Sequence, residues 1–287
     1  MVLTGDEKSG QKKGLIFDIQ RFSLHDGPGI RTLIFLKGCH LSCRWCSNPE
    51  GQIGEMQLLF NKRKCSLCKE CIYCCPENAN TLENSKIVYN RKLCVLCGKC
   101  ILSCSSNARS ISGKWMTAAE VISILNDDEV FFRNSGGGVT LGGGEPTYQY
   151  DFASELLGQL KNININTAIE TCGYIEWKKL EQLLEKIDWV IFDIKHTDNE
   201  KHIKYTGIPN VIILDNLERL LKIRKNVIVR ITLIPGFNDG KTEKAKIVSF
   251  IRSLDENVKI EYLNYHEFGK FKYDLIDRSY EFNINGG

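Results

Sequence analysis

The chain has 287 residues, 25% charged side chains and a formal net charge of +3, a balance that gives no reason to expect nucleic acid or a membrane surface as a partner. Thirteen cysteines without an apolar signal-like segment between Met1 and Gly14 argue against a secreted disulfide framework and for reduced, metal-bound thiols in an oxygen-poor cytoplasm. No apolar run reaches bilayer-spanning length, and the length allows one large domain or a medium one with a small insert.

Residues 1–13 are polar and read as a disordered leader; Gly14 to Gln20 alternates as a short strand. His25-Asp26-Gly27-Pro28-Gly29-Ile30-Arg31 is a turn signal that delivers a second, β-branched strand from Thr32 to Lys37. That strand ends at Gly38-Cys39-His40-Leu41-Ser42-Cys43-Arg44-Trp45-Cys46-Ser47-Asn48-Pro49-Glu50, with the spacing Cys-x3-Cys-x2-Cys. Three thiolates can hold three irons of a [4Fe–4S] cube and leave the fourth iron open to a ligand. The competing zinc reading wants a fourth ligand in paired spacing, and no matching pair follows. The spacing resembles that of the radical S-adenosylmethionine (SAM) enzymes.

Nine of the ten remaining cysteines fall between Gln57 and Gly113. Cys65-x2-Cys68-x2-Cys71-x3-Cys75 is followed by Cys94-x2-Cys97-x2-Cys100-x3-Cys104, a repeat of 29 residues (94 minus 65). This is the pattern of a bacterial two-cluster ferredoxin, in which the fourth cysteine of each run ligates the other cube. One cube then takes Cys65, Cys68, Cys71 and Cys104, and the other Cys94, Cys97, Cys100 and Cys75. Ser105 stands where proline is usual, and Cys74 is a surplus thiol that blurs the register of the first run.

Beyond the insert, Thr117-Ala118-Ala119-Glu120 reads as a capping box opening a helix to about Leu125. Strand patterns follow at Val139–Leu141, Ile165–Ile169, Trp189–Phe192, Val227–Leu233 and Val258–Leu263, separated by helical patterns near Phe152–Leu160, Trp177–Lys186, Asn216–Ile223 and Glu243–Leu254. With the strand before the cysteine loop these make six in βα order. The expected fold is α/β, an incomplete parallel (β/α)6 barrel over 14–56 and 113–287 with a ferredoxin-like insert at 57–112. Polar features close each strand: the cysteine loop, Gly142 to Pro146, Glu170 to Tyr174, Asp193-Ile194-Lys195, Arg230 with Pro235 to Asp239, and Tyr265-His266-Glu267. Parallel strand ends meet at one mouth, so these features should converge.

From about Gly14 to Tyr280 the chain resembles the activating enzymes of glycyl radical enzymes, the branch related to the pyruvate formate-lyase activator that carries a ferredoxin insert. The resemblance rests on Asp26 to Arg31, the cysteine loop through Glu50 and the eight-cysteine insert. It implies a catalytic cluster on Cys39, Cys43 and Cys46, and a SAM site formed by Trp45, Cys46, Ser47, Gly143, Gly144, Glu145, Asp193, Ile194, Lys195, Arg230 and His266. It further implies a monovalent cation near Glu170, Thr171 and Asp193, and Asp26 on the loop that meets the partner. The implied reaction is reductive cleavage of SAM and hydrogen-atom abstraction from a glycine of that partner, giving a glycyl radical, methionine and 5′-deoxyadenosine. A flavodoxin or ferredoxin would supply electrons to a monomeric protein with three [4Fe–4S] clusters. The alternative is a radical SAM enzyme acting on a small molecule or peptide with auxiliary clusters; a plain electron-transfer module would need neither the open three-cysteine loop nor the Gly-Gly-Glu turn.

Overall fold

The computed structural model describes residues 12–224 and 226–282. The expected leader lies outside the described residues as far as Gln11, and Lys13 already opens the first strand. The elements in chain order are β1 (Lys13–Ser23), β2 (Arg31–Leu36), β3 (Gln57–Phe60), α1 (Glu70–Tyr73), β4 (Asn80–Glu83), β5 (Lys86–Tyr89), α2 (Lys99–Leu102), β6 (Arg109–Ser112), β7 (Lys114–Thr117), α3 (Ala118–Leu125), α4 (Glu129–Ser135), β8 (Gly138–Gly143), α5 (Tyr150–Asn162), β9 (Asn166–Thr171), α6 (Trp177–Leu184), β10 (Trp189–Asp193), α7 (Asn199–Thr206), α8 (Val211–Ile223), β11 (Val227–Leu233), α9 (Lys241–Leu254), β12 (Lys259–Asn264) and α10 (Lys270–Leu275).

Eight strands form one open sheet in the order β12-β11-β10-β9-β8-β2-β1-β7. The six from β12 to β2 pair in parallel, as the βα alternation requires. Their middle residues, such as Val139, Leu141, Ile169, Val190, Phe192 and Val229, are fully buried because helices cover the sheet. Helix α5 shows how: Phe152, Ala153, Leu156, Leu157 and Leu160 recur on one face and join the core, while the opposite face stays polar. Thr117 caps α3 in a complete capping box with Glu120. Among the described residues no helix is long and apolar enough to cross a membrane.

Two antiparallel strands complete the sheet at one edge: β1, expected over Gly14 to Gln20, and β7, which was not. β1 runs on to Ser23 through two register shifts and pairs with β2 on one side and β7 on the other. β7 is four residues that lead straight into the α3 cap, too short for a periodicity signal. Helix α8 begins at Val211, earlier than expected, because its first turn is the β-branched Val-Ile-Ile that reads as a strand.

Residues between β2 and β7 make two further antiparallel pairs, β3 with β6 and β4 with β5. They have their own apolar cluster of Leu58, Phe60, Ile87 and Ala108, which Cys71 and Cys100 join. The sequence repeat is repeated in the backbone: Leu67 and Leu96 (φ 60° and 53°), Lys69 and Gly98 (66° and 76°), and Asn78 and Asn107 (both 49°) are left-handed in matching places. Asn61 and Asn90 likewise cap equivalent turns, each accepting from the backbone N–H two residues on.

Candidate active site

The cysteine loop after β2 is closed at its stem, where Gly38 N–H donates to Gly51 O (2.8 Å) and Cys39 N–H to Gln52 O (3.0 Å). Fully buried Lys37 holds the far side by donating to the Glu50 carbonyl, and burial pushes its ammonium down to about 8. Ser42 N–H donates to Thr206 O (2.8 Å) and Arg44 N–H to Tyr205 O (3.1 Å), fastening the loop to the end of α7. Trp45 turns inward onto Phe237 (4.7 Å between rings) and Phe282. On the remaining side α10 supports the loop: Tyr273 Oη donates to Cys46 O (3.1 Å), and Lys272 Nζ reaches Asn48 Oδ1 (2.8 Å) and Glu50 Oε1 (2.7 Å).

This loop forms one wall of a cavity of about 390 Å³. Cys39, Cys43, Cys46, Trp45 and Ser47 line it together with Gly143, Gly144 and Glu145 after β8, Glu170 and Thr171 of β9, Asp193 and Lys195 at the end of β10, Arg230 of β11, His266 after β12, and Asp26. The expected convergence of strand ends is thus present. Ile194 is the exception, since strand alternation turns its side chain into the main apolar core and only its neighbours face the cavity. Cys172, which carried no expected role, lines the cavity too.

The Gly-Gly-Glu turn has its shape for steric reasons. Gly143 has φ +99°, and a Cβ on Gly144 would stand 2.3 Å from Gly38 O and 2.6 Å from Gly51 O, the stem of the cysteine loop. Glu145 N–H donates to Gly38 O (2.7 Å) and ties the two loops together. The Glu145 carboxylate is buried and fully engaged: Oε1 accepts from Thr147 N–H (3.1 Å), Thr147 Oγ1 (2.8 Å) and Thr171 Oγ1 (2.7 Å), and Oε2 from Cys172 N–H (2.9 Å). What the turn offers the cavity is therefore main chain.

Charge is concentrated opposite the thiols. Buried Arg230 pairs with Glu170 (2.7 Å) and Glu261 (3.3 Å), stands 3.7 Å from Asp26 and donates to the His25 carbonyl. Burial and the neighbouring Asp193 carboxylate push Glu170 up, to about 7, against the pull of Arg230. Lys195 lies 3.4 Å from Asp193; burial would lower its ammonium, but Asp193, Cys43, Glu170 and Cys172 together outweigh burial and raise it. Among the described residues no three His, Cys, Asp or Glu side chains are gathered as around a single metal ion. Glu170 and Thr171, expected near a monovalent cation, pair with Arg230 and with Glu145 respectively. Burial pushes Cys43 up to about 12 and raises Cys39 and Cys46 as well, so these thiols keep their protons unless a cation compensates them.

Arg31 positions the Asp26 loop, a role the turn signal did not disclose. Completely buried, it donates to Thr140 Oγ1 (2.7 Å), Val139 O (2.7 Å) and Asn166 Oδ1 (2.9 Å), and Thr140 Oγ1 donates in turn to Asp26 O (2.6 Å).

In the segment 57–112 the eight paired-run cysteines sit on the two matching half-units. Backbone N–H groups of Ala79, Leu96 and Ala108 donate to the sulfurs of Cys75 (3.3 Å), Cys94 (3.4 Å) and Cys104 (3.3 Å). Buried Arg109 reaches Cys71 Sγ (3.6 Å) from between the halves. Cys74 contacts Ser103 (3.3 Å), its equivalent in the repeat, which leaves Cys75 matched with Cys104.

Comparison with known proteins agrees with this geometry. The sequence profile of the Radical SAM superfamily matches residues 33–246. The choline trimethylamine-lyase activating enzyme of Oleidesulfovibrio alaskensis is 40% identical over 282 residues, covering 96% of this chain and 90% of that protein. The isethionate sulfite-lyase activating enzyme of the same organism is 43% identical, covering 92% and 87%, and the trans-4-hydroxy-L-proline dehydratase activating enzyme of Clostridioides difficile 42%, covering 93% and 89%. Streptococcus suis SuiB bound to precursor peptide SuiA shares the fold, with a TM-score of 0.51 at 14% identity over 88% of this chain and 42% of that one. With its three-thiol loop at the mouth of six parallel strands, this chain belongs to the Radical SAM superfamily and, within it, to the activating enzymes.

Proposed function

We propose that the protein activates a glycyl radical enzyme, using SAM held in the 390 Å³ cavity against a [4Fe–4S] cluster on Cys39, Cys43 and Cys46. The carrying observation is that cavity: three thiols on one wall, that of Cys43 buried, and residues from the other five parallel strands on the rest. Thiols that burial keeps protonated become thiolates when iron supplies the compensating charge, so the donor set fits the group. A [4Fe–4S] cluster held by Cys39, Cys43 and Cys46 would supply the one electron that cleaves a carbon–sulfur bond of the SAM sulfonium, and the resulting 5′-deoxyadenosyl radical would take the hydrogen atom from the partner's glycine.

The chain's own residues position and shield. The main chain of Gly143 and Gly144 receives the methionine amino group, while Asp193, Lys195, Arg230 and His266 lie along the rest of SAM. Asp26, anchored through Thr140 and Arg31, stands where the partner's glycine loop enters. No proton transfer is required of any of them, and their work is orientation and exclusion of water.

We further propose that 57–112 holds two more cubes and relays electrons from a flavodoxin or ferredoxin. The repeated backbone geometry and the N–H groups aimed at Cys75, Cys94 and Cys104 support this ligation. The relatives' names specify choline, isethionate and hydroxyproline chemistry at nearly equal identity, so the partner's substrate is set by the partner. The test mixes anaerobically reconstituted, reduced protein with SAM and candidate glycyl radical enzymes. A doublet electron paramagnetic resonance signal on one of them, and deuterium passing from its glycine into 5′-deoxyadenosine, is the expected result; the protein itself should carry about twelve irons, three cubes of four. SAM turnover with a metabolite and no radical on any protein would overturn the activase reading.

A further inference from the structure

The segment 57–112 contains nine basic and three acidic side chains, a net +6 in a chain of +3, so everything outside it carries −3. Such an imbalance is uncommon for a solvated face, where ion pairs normally offset the charge. Here Arg63, Lys64, Lys69, Lys86, Lys92 and Lys99 are exposed and make no ion pair among the described residues; only Lys62 does, with Asp277 at 2.9 Å. Lys62 and Arg63 match Arg91 and Lys92 in the repeat, just ahead of each cysteine run, while Lys69 lies within the first run and Lys99 within the second.

Beside this basic field lies a second cavity, of about 410 Å³. Its apolar floor is Phe60, Leu67 and Val88, its rim includes Lys62, Lys86 and Arg91, and the thiol-bearing Cys65 forms part of its wall. Leu67 is 44% exposed and Cys68, next in the chain, is the exposed cysteine of the protein. Two of Arg91's nitrogens are used, on Leu58 O (2.8 Å) and Leu275 O (3.1 Å), while its Nε is buried without a partner. Asp274 and Asp277 close the α10 side.

We propose that this surface docks a small acidic electron-carrier protein, and that the cube on Cys65, Cys68, Cys71 and Cys104 is where its electron enters. The inference rests on the reading that 57–112 binds two cubes. An apolar patch bordered by Lys62, Lys86 and Arg91 on the side away from Asp274 and Asp277, with a ligand thiol at its edge, fits a carrier whose redox group is surrounded by carboxylates. One electron leaves the reduced carrier and enters the cube, and no bond forms or breaks. The remainder of the molecule, with its negative balance, turns such a carrier away.

The experiment follows bleaching of the iron–sulfur absorbance when reconstituted protein is mixed with reduced flavodoxin in a stopped-flow cell. The rate should fall steeply as salt rises from about 0.05 to 0.5 M, because the steering field is screened. Lys64→Glu/Lys69→Glu/Lys86→Glu should slow it roughly tenfold or more at low salt, with iron content unchanged, while the same three charge reversals at exposed Lys178, Lys222 and Lys246 should leave it as in the parent. If the triple variant loses iron, Lys64→Gln/Lys69→Gln/Lys86→Gln takes its place, with a smaller slowing in the same direction. A parent rate independent of salt, or an iron-replete variant as fast as the parent, overturns the docking surface and leaves the cluster reading standing. About four irons in the parent overturns both.

Discussion

Arg230 is the residue whose loss the geometry allows to be costed. It sits on β11 between carboxylates on β9 and β12, and its side chain is only 3% exposed, against 21% for Glu170, 28% for Glu261 and 15% for Asp26. Arg230→Met keeps the volume and removes the charge, leaving Glu170 without its paired cation. Breaking a buried pair costs about 3–5 kcal/mol; since the carboxylates keep some water, the lower end, about 3 kcal/mol, applies. For a domain of this size that is a melting temperature lower by roughly 6–12 °C. The loss depends on pH with a definite sign. A carboxyl raised on folding, as Glu170 is to about 7, binds its proton more tightly in the folded chain, so between its ordinary 4.5 and about 7 stability falls as pH rises. Without Arg230 the carboxyl rises further, so the deficit should be largest at pH 8 and smaller at pH 6, where Glu170 can take up a proton. Thermal melts of reconstituted Arg230→Met at both pH values measure this, and Glu170→Gln in the same chain should recover more than half. Equal melting of variant and parent at pH 8, or no recovery by Glu170→Gln, refutes the reasoning.

Gly144→Ala should lower stability by about 1–3 kcal/mol and weaken SAM binding in calorimetry, because the new methyl group meets the carbonyls of Gly38 and Gly51. Gly158→Ala, whose Cβ would have its nearest neighbour at 3.7 Å in the middle of α5, should instead stabilise by about 0.5–1 kcal/mol; two variants with the same melting shift would remove the steric account. Buried His202, held at Nδ1 by Ile208 O (2.7 Å), has its pKa lowered chiefly by burial. The unfolded chain then takes up a proton below its ordinary 6.5 that the folded chain refuses, so stability should fall with decreasing pH by up to about 1.4 kcal/mol per unit. His202→Gln should flatten that slope, and an unchanged slope between pH 6.5 and 5.5 would assign the acid lability elsewhere.

The parallel strands and the convergence of their ends were legible because both follow from local pattern: branched apolar runs make the strands, and a parallel βα alternation leaves only one edge for the polar residues after them. Glu145 shows where legibility stops. Its place in the turn was readable, but that its carboxylate is consumed by Thr147, Thr171 and Cys172 depends on a tertiary contact between β8 and β9. Ile194 was carried over with its whole motif, and strand alternation turns its side chain away from Asp193 and Lys195 into the core, which leaves only its main chain for the cavity. Arg31 was read only as the end of a turn and Lys37 only as the end of a strand, because the groups that bury and bond them lie on other elements. α10 gave no signal at all, being six residues without a cap side chain.

That short helix has a consequence for how the protein is made. Lys272 and Tyr273 supply hydrogen bonds to Asn48 and Cys46, Arg278 supplies one to Gln52 (2.8 Å), and Leu275 accepts one from Arg91. The cysteine loop is therefore translated early and finished late: its outer wall does not exist until residues 270–278 have left the ribosome. Iron delivered to a nascent chain would meet a loop still open on that side, and the same segment that closes it also fastens 57–112 in place. Assembly of the catalytic cavity and attachment of the segment proposed to feed it electrons are, by this construction, a single closing event.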